Sequence, residues 1–94
     1  MKVKFEWEHE VDLVEAPEGW HWVGSIGHRS QYVMLQQVVV TAETQGIGCI
    51  TISDAGIIAG YTPSDGEHQC MGVQSDTRTA SVALIRAMGL EVAP

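Results

Sequence analysis

Ninety-four residues leave room for a single domain spanning 1–94, and a chain that is 45% hydrophobic and 18% charged can build one core. Twelve acids against five bases give a net charge of −7, which argues against direct nucleic-acid binding and admits a partner that is itself basic. Two cysteines are too few for the disulfide framework of a small secreted domain, and no segment reads as a signal peptide or a membrane span. The expectation is a cytoplasmic protein with reduced thiols.

The opening MKVKFEWEHEVDL alternates strictly: Val3, Phe5, Trp7, Val11 and Leu13 against Lys2, Lys4, Glu6, Glu8, Glu10 and Asp12. Period-2 alternation predicts one half-buried strand over residues 1–13, with a water face of two lysines followed by four carboxylates. Pro17 and Gly19 then supply a turn, and WHWVGSI alternates again, predicting an antiparallel hairpin between the first strand and residues 20–26. Residues 30–45 read two ways. Ser30 and Gly46 would cap a helix, whereas the β-branched run Val38–Thr41 favours a strand over Tyr32–Ala42, the reading taken here.

GIGCITIS, GIIAGYT and CMGVQS predict three further strands, separated by Asp54-Ala55-Gly56 and by the polar loop at 63–69. The end, SDTRTASVALIRAMG, predicts a helix over Thr77–Met88, capped by Ser75 or Asp76 and closed by Gly89 with Leu90 folding back. The fold class is α+β: a five- or six-stranded, mostly antiparallel sheet with a C-terminal helix packed on one face. In domains of this size homodimerisation is a common way to bury more apolar area.

The strand, Ser75-Asp76-Thr77 and the alanine-rich ASVALIRAMG helix resemble the ends of small phage-encoded proteins of the phage ABA sandwich type. The resemblance covers about the last quarter of the chain. It implies a small viral or mobile-element protein, in the host cytoplasm, with no catalytic residues to carry over.

No motif specifies a reaction, a metal or a cofactor. His68 and Cys70 in EHQC lack the second close ligand pair of a zinc site. Cys49 and Cys70 have no activating signature beside them, and Gly46-Ile47-Gly48 continues as strand where a phosphate cradle needs a helix. Glu6 with Glu8, or Asp65 with Glu67, would face open water, where nothing splits their pKa values for acid–base work. The balance is against an enzyme.

Two functional expectations remain. The first is a non-catalytic inhibitor or adaptor that docks Glu6, Glu8, Glu10 and Asp12, with Trp20 and Trp22 as anchors, on a basic and plausibly nucleic-acid-binding protein. The second is a small-ligand or nucleotide site built from Asp65, Glu67 and His68 in the 63–69 loop and from Ser75, Thr77, Arg78 and Thr79 at the helix N-terminus.

Overall fold

Short turns between β-rich segments build the sheet by successive hairpins. The computed structural model describes residues 1–5, 7, 10–41, 43 and 45–93. Its elements are β1 (Lys2–Lys4), β2 (Glu10–Asp12), β3 (Trp20–Ile26), β4 (Ser30–Gln37), β5 (Gly46–Ser53), β6 (Gly56–Pro63), β7 (Gln69–Gln74) and α1 (Thr77–Ala87). Strands β3 to β7 form one antiparallel sheet in chain order, β1 and β2 form a separate two-stranded sheet, and α1 packs across β5, β6 and β7. The fold is α+β, as the sequence predicts.

The first 13 residues correct the sequence reading. They are not one strand: β1 and β2 pair antiparallel, with Lys2 opposite Asp12, Val3 opposite Val11 and Lys4 opposite Glu10. A 13-residue strand would run roughly 44 Å at about 3.4 Å per residue, longer than the 34 Å extent of the whole molecule. Folding back keeps the apolar side on the core and sets each lysine opposite a carboxylate. The predicted hairpin with residues 20–26 is therefore absent, and β3 pairs with β4 instead. Residues 13–19 carry the chain from the small sheet to the large one.

The strand reading of residues 32–42 holds only in part over residues 32–41, and Ala42 lies outside the described residues. β4 ends at Gln37, opposite Trp20, the first residue of β3. Beyond it neither neighbour offers a strand to pair with, so Val38, Val39 and Val40 leave the sheet despite their β propensity.

One face of the large sheet makes the core. Trp20, Val33, Leu35, Ile50 and Ala59 meet Ala80, Leu84 and Ile85 of α1 and Trp7, Val11, Leu13 and Val14 from the N-terminal segment. Leu84 lies where a side chain at Gly48 would project, so the helix sits low on β5. Phe5 covers Gly24 in the same way, and its ring meets that of Trp7 at 5.0 Å.

Helix α1 is capped as its sequence demands. The Asp76 carboxylate accepts the Thr79 N–H at 2.7 Å, and this bond holds the carboxyl below its ordinary pKa. The cap's contribution is thus complete above the unfolded carboxyl's pKa and is lost as pH falls through the lowered folded value. At the other end Gly89 has φ +76°, with Gly89 N–H donating to Arg86 O and Leu90 N–H to Ile85 O, both at 3.0 Å. That is the Schellman pattern. Gly89→Ala is expected to cost on the order of 1 kcal/mol through left-handed strain; a thermal melt unchanged within error would refute it.

Candidate functional site

The structure separates the residues that the sequence groups together. Glu6 and Glu8 lie outside the described residues. Glu10 faces Lys4 across the small sheet, and Asp12 lies opposite Lys2, 3.5 Å from the Arg78 guanidinium and 3.3 Å from the Met1 amine. Glu10 and Asp12 are therefore not part of a segregated acidic row, because the hairpin mixes the signs.

Trp20 and Trp22 are committed largely to the core. Trp20 is only 9% exposed, and half-buried Trp22 packs against the core with its indole N–H donated to Val14 O at 2.9 Å. Their aromatic bulk closes the core between β3 and the N-terminal segment.

The alternative ligand set is divided by β7. Asp65, Glu67 and His68 precede this strand, whereas Ser75, Thr77, Arg78 and Thr79 follow it, roughly 17–20 Å away at about 3.3 Å per residue. The helix-end residues are already engaged. Thr77 Oγ1 donates to Asp12 O at 2.7 Å, the Thr79 N–H is held by Asp76, and Arg78 meets Asp12. His68 Nδ1 lies 2.8 Å from Thr62 Oγ1, and its ring covers Gly60. Among the described residues, no three His, Cys, Asp or Glu side chains converge as metal ligands.

Cys49 and Cys70 both pair with Gly60, one from each side, so a whole strand separates them. Their Cα atoms are then about 9–10 Å apart, beyond disulfide reach. Burial pushes the Cys49 thiol above its ordinary pKa, the opposite of an activated nucleophile.

Two surfaces stand out instead. The first is the sheet face away from α1. One cross-strand row on it reads Val23, Met34, Cys49, Gly60, Cys70, and the next reads Ser25, Tyr32, Thr51, Ile58, Val73. His21 with Gln36 and Ile47 with Thr62 lie beyond the first row. Apart from His68 over Gly60, no element packs on these rows among the described residues. Strands β3 to β7 contain no Asp, Glu, Lys or Arg at all.

The second surface is the end of the sheet where β4 stops and β5 begins. Val38, Val39 and Val40 are 59%, 68% and 76% exposed there. The described loop residues at this end, 15–19, 38–41, 43, 45 and 64–68, hold Glu15, Glu18, Glu43, Asp65 and Glu67 and not one lysine or arginine. Glu91 joins Glu15 and Glu18 around a depression at the same end. The opposite end carries His28, Arg29 and Asp54, on turns that adjoin each other.

Sequence reasoning missed both surfaces, although the signal was present. A strand with one face in water normally carries charges on that face, and five consecutive strands without a charge depart from this rule.

No family model, no curated protein and no solved structure matches this chain. Among the described residues, no helix is long and apolar enough to cross a membrane.

Proposed function

We propose that the protein is a non-catalytic binding protein, of the inhibitor or adaptor kind, that presents its acidic loop end to a basic protein partner. The observation carrying this reading is the exposed Val38-Val39-Val40 tip set among carboxylates. An aliphatic centre with a charged periphery is the anatomy of a docking surface: apolar burial supplies affinity, and the surrounding charge supplies orientation and encounter rate. Each valine fully buried by a partner contributes on the order of 1.5 kcal/mol. The acidic surface of this reading is the loop end and not the β1–β2 hairpin, where Lys2 and Lys4 stand opposite Asp12 and Glu10 and Arg78 pairs with Asp12. The resemblance of the C-terminal strand and helix to small phage-encoded proteins agrees with an inhibitor or adaptor acting in a host cell.

The test is affinity capture from a host lysate at low and high salt. It uses wild type, Val39→Asp, the triple reversal Glu43→Lys, Asp65→Lys and Glu67→Lys, and Glu10→Lys as control. The expected result is one basic protein, released by added salt, retained by Glu10→Lys, and bound at least about tenfold more weakly by Val39→Asp and by the triple variant. A captured protein that both loop variants hold as tightly as wild type would remove this end of the molecule from the function.

A further inference from the structure

We propose that a second copy of this chain docks on the open face of the sheet, about a two-fold axis lying in the interface and perpendicular to the strands. The argument starts from charge. The molecule carries −7, yet its largest regular surface is neutral, because β3 to β7 hold no charged residue. A basic partner gains no Coulomb attraction from such a face. A second copy brings a surface of the same size, equally neutral, and buries no carboxylate in meeting it.

Area points the same way. Five strands about 4.8 Å apart and about 24 Å long give a footprint of roughly 600 Å² per copy, or about 1,200 Å² for the pair, the lower bound of a stable specific interface. The central residues suit burial: Val23, Met34, Cys49 and Ile58 are already half-buried and need little desolvation, while Tyr32, Gln36 and Thr51 offer neutral hydrogen-bonding groups. Antiparallel sheets stack face to face about 10 Å apart, with strands within about 30° of alignment.

Pairing through the β7 edge is disfavoured. The register shifts at Ala59/Gly60 opposite that strand, and Gly72 at φ +82° interrupts its extended backbone.

Electrostatics selects the axis. A two-fold axis parallel to the strands would bring the two acidic ends together. The perpendicular axis sets them about 24 Å apart, well beyond the Debye length of about 8 Å at physiological salt. It also places each acidic end beside the other copy's adjoining His28–Arg29 and Asp54 turns, where the charges of Arg29 and Asp54 cancel. The Val38–Val40 tips then remain free at both poles, so the dimer does not compete with the proposed docking end.

Light scattering and sedimentation on the whole chain, from about 1 to about 200 µM, test this. The expected result is a concentration-dependent mass of twice 10.2 kDa, with association weakened at least about tenfold by Met34→Lys or by Ile58→Lys in proteins that keep the wild-type far-UV spectrum. Alkylation of Cys49 in the wild type is an independent reading that needs no variant. Its rate should fall about threefold or more across the same range, as mass action covers the face. A monomer at every concentration, a Cys49 rate independent of concentration, or a dimer that survives both lysine substitutions would each overturn the proposal.

Discussion

Leu84→Ala is expected to lower stability by about 2–5 kcal/mol, the range for truncating a fully buried leucine. Leu84 has no exposed surface, belongs to the core cluster, and fills the space left by the missing side chain of Gly48. A domain of this size has about 5–15 kcal/mol in total and shifts its midpoint by roughly 4–8 °C per kcal/mol, so the melt should drop by about 8–40 °C. The same contact fixes the sign of a second substitution. A Cβ at Gly48 would lie 2.7 Å from Leu84 Cδ2, so Gly48→Ala alone should destabilise by about 1–3 kcal/mol through overpacking. In the Leu84→Ala background that methyl enters the cavity, and replacing a strand glycine also lowers the entropy of the unfolded chain. Gly48→Ala should then be neutral or stabilising, a coupling of at least about 1 kcal/mol in a double-mutant cycle. Additive costs would show that helix and strand do not meet at this point.

How much of this contact was legible follows from what local sequence can express. The alanine stripe, the Asp76 cap and Gly89 announce a helix, and both ends form as read. The strands β5, β6 and β7 are equally plain, because each lies between turn residues that stop it. What the sequence does not express is which segments meet. Alternation over residues 1–13 is identical whether the chain runs straight or doubles back, since Val3 and Val11 stay on one face either way. The choice rests on the size of the domain. The same blindness affects Val38 to Thr41, whose β propensity is real but lacks a neighbouring strand.

The placement of the candidate site residues was hidden for a related reason. Tryptophan is enriched at binding surfaces and also closes small cores, and only the burial of Trp20 in the core cluster shows which of the two its bulk serves. Asp65–His68 and Ser75–Thr79 are near in sequence, but β7 runs between them and carries the two groups to opposite ends of the sheet.

Ser81→Ala should cost about 1–3 kcal/mol, although serine to alanine usually favours a helix by a few tenths. Ser81 is the sole polar side chain among the buried described residues. Its hydroxyl donates to Arg78 O at 2.7 Å and accepts the Val14 N–H at 3.0 Å. Losing the first bond is cheap, because a helical carbonyl keeps its backbone partner. Losing the second is not, because Val14 is buried where the chain leaves the small sheet, and water has no ready access to its amide. Thr77 to Asp12 O and Arg78 to Asp12 grip the same segment from the turn before, so the hairpin should stay attached and the damage remain local. Hydrogen exchange separates the two effects: Val14 should lose protection beyond what the global destabilisation removes, while the amides of β5 and β6 should track global stability alone. Ser75→Ala, at an exposed position just ahead of the cap, should stay within about 0.5 kcal/mol of wild type. Equal melts for the two alanine variants, with Val14 still protected, would mean that the Ser81 hydroxyl does not hold the N-terminal segment to the helix.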